Sequence, residues 1–196
     1  MKHIRLLVLT LIAVCIGSSG CGYNAIQSGD ENVQAAWADV VNQYKRRADL
    51  IPNLVSTVKG YAEHEQEVLT KITEARAKAT SVNLDASVLE DEAAFKRFQE
   101  AQGALSGALS RLLAVAENYP QLKADANFRD LQAQIEGSEN RIAVARTRYI
   151  EAVKAYNITV RSFPSNLTAK LFGAKVKPNF GVENEKEISE APKVAF

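Results

Sequence analysis

A 3.5-residue apolar repeat, sustained along most of the chain, limits what this sequence can become. Stepping alternately by four and three from Val33 gives Val33, Trp37, Val40, Tyr44, Arg47, Ile51, Leu54, Val58, Tyr61, Glu65, Val68, Ile72, Ala75 and Ala79. A second ladder runs Val88, Asp91, Phe95, Phe98, Gln102, Leu105, Leu109, Leu112 and Ala116. A third runs Phe128, Leu131, Ile135, Ser138, Ile142, Ala145, Tyr149, Ala152, Tyr156, Thr159 and Phe163. Such spacing puts one stripe along one side of a helix. A helix with a single apolar stripe is not stable alone, so the three must bury their stripes against one another. Short connections make sequential neighbours antiparallel. The sequence therefore predicts an all-α fold, an elongated antiparallel bundle of three long helices.

Punctuation along the chain sets the expected boundaries. Asp30 is the expected N-cap of the first helix. Pro52 lacks an N–H and clashes one turn back, so a kink or break is expected there, and Gly60 weakens the helix again. Because the stripe keeps register across Pro52, one kinked helix is favoured; a reversal at Pro52 would give a four-helix bundle instead. Thr80 to Asp85 reads as a turn. Asn118-Tyr119-Pro120 stops the second helix and Pro164 the third. Gly103 and Gly107, four apart, offer a flank for close helix approach. Residues 165–172 read as a short C-terminal helix stopped by Gly173 and burying Leu167, Leu171 and Phe172. Val176, Pro178 and Phe180 would continue as an extended strap. Residues 183–196 are acidic, carry Pro192 and lack a stripe, so they are expected to be disordered. The bundle is thus assigned to residues 30–182.

The amino terminus carries a different signal. Lys2 and Arg5 precede a short apolar run ending at Ile16, then Gly17, Ser18, Ser19, Gly20 and Cys21. A basic start, a short apolar stretch and small residues describe an export signal. The run is well short of the roughly 20 residues of a spanning helix. Cysteine after small residues is the place where a bacterial lipoprotein is cut and acylated, although Ser18 stands where such signals usually carry Leu. Residues 1–20 are thus expected to be a lipoprotein signal peptide, Cys21 the lipidated residue, and 21–29 a linker. An uncleaved anchor is the alternative. Removal of Lys2 and Arg5 takes the formal charge from +1 to about −1, which gives nucleic acid no basic face to bind. Gly22, which is not Asp, favours the outer over the inner membrane.

Catalytic groupings are sparse. His64 has Val68, not a second histidine, four residues on, so no zincin-type metal site is expected. No phosphate loop or nucleophile elbow is present, and neither cofactor nor catalysis is expected. Arg47 and Glu65 occupy stripe positions, and a buried charge must be paired. Glu136, Glu139, Arg141 and Arg146 on the third helix are the candidate partners, unless the bend at Pro52 rotates Arg47 to the surface. A paired Arg47 would fix bundle register.

Several segments resemble the LemA family. They are Tyr23-Asn24; Lys45-Arg46-Arg47-Ala48-Asp49-Leu50-Ile51-Pro52-Asn53-Leu54-Val55; Val58-Lys59-Gly60-Tyr61-Ala62 with His64-Glu65; Ala116-Glu117-Asn118-Tyr119-Pro120-Gln121-Leu122-Lys123-Ala124; Asn127-Phe128 with Leu131-Gln132; Glu139-Asn140-Arg141-Ile142-Ala143-Val144-Ala145-Arg146; Tyr156-Asn157; and Phe163-Pro164. Ile150 departs from the Asn usual after the tyrosine. The resemblance implies an all-helical, membrane-attached protein with its bundle outside the cytoplasm and no accepted catalytic residues. Three functions are open. In the first, a membrane-tethered scaffold in the cell envelope, facing the periplasm, docks a partner protein through Asp49, Pro52, Asn53, Glu117, Asn118 and Tyr119. The second is a ligand or enzymatic site between helices built on Arg47, Glu65, Tyr61 and Tyr149. The third is a self-assembling spacer, a homo-oligomer whose uncovered seam is closed by another copy.

Overall fold

The computed structural model describes residues 2–82 and 85–181, with side chains from residue 22 onward. The tail from residue 182 and the side chains of residues 2–21 lie outside the described residues. Helix α1 spans Lys2–Lys59, α2 Gln66–Ser81, α3 Glu92–Ala116, α4 Pro120–Ala124, α5 Ala126–Arg161 and α6 Ser165–Phe172. A 3₁₀ turn, Ala86–Glu90, precedes α3. Among the described residues no helix is long and apolar enough to cross a membrane.

The long helices run up, down, up and down. Gly60–Glu65 reverses the chain into an α1–α2 hairpin, α3 returns against α2, and α5 runs antiparallel to both α1 and α3. The α1–α5 interface is the most extensive. The fold is all-α as expected, but the first ladder is two helices and the break falls at Gly60, not Pro52. At the turn, Tyr61 N–H and Ala62 N–H both donate to Val58 O. Tyr61 is consequently exposed, and Ala62 and Leu69 take the inward places expected of Tyr61 and Val68.

Helix α1 passes through Pro52 because the acceptor the proline abandons is used. Pro52 has no N–H for the carbonyl four residues back. That carbonyl, Ala48 O, instead accepts from Arg76 Nε of α2 at 2.8 Å. The proline thereby supplies a fixed attachment for the second arm of the hairpin.

Two further boundaries differ from expectation. Residues 22–29 are helical rather than a linker, with Gly22 and Ile26 buried. Asp30 therefore lies inside α1, where it accepts from Gln34, and does not cap it. Elsewhere carboxylates do cap: Asp91 accepts from Ala93 N–H and Ala94 N–H, and Asp125 from Phe128 N–H. Pro120 opens α4 at its first turn, where its missing N–H costs nothing. Gly173, at φ 72°, ends α6 in the left-handed region that suits glycine.

The core divides into two apolar clusters. One holds Trp37, Tyr44, Phe95, Phe98, Tyr149 and Tyr156. The other holds Ile51, Leu54, Leu69, Ile72, Leu105, Leu112, Phe128 and Ile135. Burying each such side chain contributes roughly 1.5–3 kcal/mol. On α5 the buried stripe steps from Tyr149 to Val153, Tyr156 and Val160, displacing Ala152, Thr159 and Phe163. A straight helix drifts about 20° per heptad against a 3.5 repeat, which moves Ala152 and Thr159 off the buried side; Phe163 lies beyond the end of α5 and is exposed. Gly107 has nothing within 4 Å of the place a Cβ would occupy, so it mediates no close helix approach.

Candidate functional site

Between the two clusters lies a polar layer made by one stripe position from each of three helices: Arg47 of α1, Gln102 of α3 and Ser138 of α5, all buried. Arg47 is 1% exposed. Its Nη1 donates to Glu139 Oε1 at 2.6 Å and Ser106 Oγ at 2.7 Å. Its Nη2 donates to Gln102 Oε1 at 2.8 Å and Gln102 O at 3.3 Å. The guanidinium also stands 5.1 Å from the Tyr44 ring centre. Ser138 closes the layer on its own helix, donating to Ile135 O. Proline does not rotate Arg47 outward, and of the four candidate partners Glu139 is the one it meets. Outside this layer is a shallow groove of about 140 Å³, walled by Gly103, Glu139, Arg146 and Phe180. Arg146 lies over the Phe180 ring at 4.5 Å, and Asn140, next to Glu139 in sequence, is exposed.

Glu65 sits far from Arg47, at the loop end of the bundle. There it accepts from Tyr119 OH at 3.0 Å, while Tyr61 OH donates to Asp125 Oδ2 at 2.9 Å. The two bonds tie the α1–α2 loop to the segment joining α3 and α5. Both phenols are held above their usual pKa, chiefly by donating to a carboxylate. Asp125 is held below the usual carboxyl range, first by Phe128 N–H and then by Tyr61. Glu117 pairs with Lys123 and Asn118 is exposed at the same end, whereas Asp49, Pro52 and Asn53 are exposed along α1. The four residues considered for an inter-helix site therefore fall in separate places: Arg47 and Tyr149 in the core, Tyr61 and Glu65 at the loop end. Among the described residues no cluster of three or more His, Cys, Asp or Glu could hold a metal ion.

At the opposite end an extended strap follows α6, as the sequence predicts. Asn157 clamps it from both sides, Nδ2 donating to Lys177 O and Oδ1 accepting from Lys177 N–H. Lys177 Nζ reaches Asp30 at 2.7 Å. Phe180 packs on Phe95 and Tyr149, and Tyr149 OH donates to Pro178 O at 2.8 Å. Gln102, Ser106, Asn157 and Asp30 make contacts that the sequence does not announce. A polar residue on a ladder was the available signal for Gln102; the others lie off the ladders.

Burial pushes the Tyr149 phenol well above its ordinary pKa. Above about pH 10 the unfolded chain ionises this tyrosine while the folded chain keeps its proton. The unfolded state then binds fewer protons, so this contribution is intact below about pH 10 and falls as pH rises, by up to about 1.4 kcal/mol per pH unit. Tyr149→Phe removes that contribution to the slope, and at neutral pH costs about 1 kcal/mol for the lost bond to Pro178. Urea midpoints measured from about pH 9 to 11 should fall less steeply in the variant; an identical slope would contradict the assignment.

The comparison with known proteins bears on this architecture directly. Residues 36–196 match the LemA family. The chain belongs to the LemA family. Magnetosome protein MamQ 2 of Paramagnetospirillum magneticum is 25% identical over 205 residues, covering 95% of this chain and 74% of the relative. Magnetosome protein MamQ of Magnetospirillum gryphiswaldense is 24% identical over 201 residues, covering 94% and 72%. Protein LemA of Metamycoplasma hominis is 28% identical over 148 residues, covering 75% of this chain and 60% of its own length. The family match includes the polar layer, the loop end and the strap, so the LemA-family segment carries every contact described above except those of residues 22–35.

Proposed function

We propose that this LemA-family chain is a membrane-anchored helical interaction module of the bacterial cell envelope, moored through Cys21 and facing the periplasm. The observation that carries the reading is that the residues directly after Cys21 already belong to α1, which runs unbroken from there to Lys59. The residues that follow the apolar start and the longest arm of the bundle are one helix. From residue 22 to Lys59 that arm is about 57 Å long at 1.5 Å per residue, so the loop end is held well away from the anchor. That end is stiffened by the Tyr61–Asp125 and Glu65–Tyr119 bonds, and loops positioned on a rigid scaffold are suited to binding. The polar layer has the role of fixing helix register, and no reaction is routed through it. The MamQ relatives are named for the magnetosome, which supports a part in an assembled structure.

Mass spectrometry of the mature amino terminus tests the mooring. The expected species begins at an acylated Cys21, and an unmodified Met1 start would overturn it. A photo-crosslinking side chain at His64, compared with one at Gln134 on the side of the rod, tests the docking end. Discrete adducts from the first position in intact envelopes support the reading, a ladder of self-adducts favours the spacer, and equal yields from both positions count against it.

A further inference from the structure

Helix α6 faces the wrong way for a helix that serves only its own core. Phe163 and Leu171 are each 80% exposed, and Leu167 and Phe172 are 58% and 61% exposed. Within α6, Leu167 and Leu171, four apart, share one face, and Phe163 is exposed just before the helix begins. The face turned inward is made of small residues instead: Ala169 is buried, and Ser165 and Thr168 meet Gly22. A Cβ at Gly22 would stand 3.3 Å from Thr168 Oγ1, so α6 is pressed against the backbone one residue after Cys21. Tyr23 extends the patch, its ring 4.7 Å from that of Phe172. Charge along this segment of chain has one sign, while Asp30 and Glu90 of neighbouring elements line the groove on its Lys175 side. No Asp or Glu occurs from residue 152 to 182, a stretch containing Lys154, Arg161, Lys170, Lys175 and Lys177. Lys177 is taken by Asp30, which leaves Arg161, Lys170 and Lys175 exposed beside the apolar face.

An exposed apolar face rimmed by cations marks an interaction site, and this composition fits an anionic lipid surface. Its place decides the occupant, because the face adjoins the point where the apolar amino-terminal segment meets the bundle. We propose that α6, with Phe163 and Tyr23, is a second membrane contact that lies in the interface of an anionic phospholipid bilayer. Two attachments, one lipid and one interfacial helix, fix the tilt of the rod, whereas a single acyl chain holds only marginally. The proposal rests on the anchoring reading for the membrane's proximity, but the patch itself belongs to the folded bundle.

The test uses full-length protein reconstituted into vesicles of phosphatidylglycerol and phosphatidylcholine. Leu171→Trp adds a reporter at an exposed position, and the chain's single native tryptophan, Trp37, is 2% exposed and serves as internal control. Lipids brominated near the headgroup end of the acyl chain should quench the added indole and leave Trp37 emission unchanged. Phe163→Trp repeats the measurement should the first variant misfold. In the Cys21→Ser background, Lys170→Gln with Lys175→Gln should weaken vesicle partitioning on the order of 30-fold at low salt. Vesicle flotation with no quenching of either added indole would overturn the α6 contact while leaving the lipid anchor standing, and a dimer in sedimentation under those conditions would identify a second copy as the occupant. Quenching in a protein whose amino terminus carries no acyl group would uphold α6 and remove the anchor.

Discussion

Arg47→Ala should lower the stability of the bundle by about 3–5 kcal/mol, the range for breaking a buried, hydrogen-bonded ion pair from one side. The truncation leaves Gln102 Oε1 and Ser106 Oγ without their donor and opens a cavity where the long side chain lay. Glu139 is half-exposed and can turn to water, so its own loss is the smaller part. Glu139→Gln should therefore cost less, about 1–3 kcal/mol, between a surface pair and a fully buried one. Arg47 Nε finds no hydrogen-bond partner among the described residues, so the site is costly even when intact. Hence Arg47→Met combined with Gln102→Leu and Ser106→Ala should recover most of the loss, since apolar replacement of a whole buried network is often near neutral. The expected deficit of the triple variant is specificity: a less uniform native state, seen as broadened amide resonances. Urea titration of the four proteins checks the order. Equal stability of Arg47→Ala and the parent would remove the polar layer from the account.

The layer was legible in part because the ladders forced it. Arg47, Gln102 and Ser138 each stood at a stripe position, and a stripe position implies burial. Their union was not legible, because which turn of α3 faces which turn of α1 depends on helix offsets that a single stripe does not encode. The hairpin was hidden for a related reason. Both arms bury the same side, so the 3.5 repeat continues through Gly60–Glu65 as though no reversal occurred. Pro52 misleads because its consequence is settled by a long-range partner: Arg76, 28 residues beyond Ala48, donates to the orphaned Ala48 carbonyl. For α6 the limits were read from Gly173 and Pro164, but the inward face was assigned by assuming that large apolar residues point inward. Contact with Gly22 reverses that, since a close backbone approach favours Ser165, Thr168 and Ala169.

Trp37→Ala should be as damaging as loss of Arg47, at about 3–5 kcal/mol for removing a buried aromatic and leaving its cavity. Its indole is the hub of the aromatic cluster, with ring centres 5.0 Å from Phe98, 5.5 Å from Tyr149 and 5.7 Å from Phe95. It thus joins α1 to both α3 and α5, and offset or edge-on aromatic pairs add about 0.5–1.5 kcal/mol each beyond burial. Trp37→Phe keeps part of the packing and should cost about half as much or less. The strap depends on the same cluster through Phe180, so residues 174–181 should become protease-sensitive in Trp37→Ala before the rest of the chain. Global unfolding should nevertheless remain a single transition, because α1 and α5 each pass through both apolar clusters and share the most extensive interface. Circular dichroism and hydrogen exchange during a urea titration separate the alternatives. If residues 51–79 and 101–135 kept full protection while residues 26–44 and 142–160 exchanged freely, the polar layer would be a boundary between independently folding halves, not a register device within one cooperative rod.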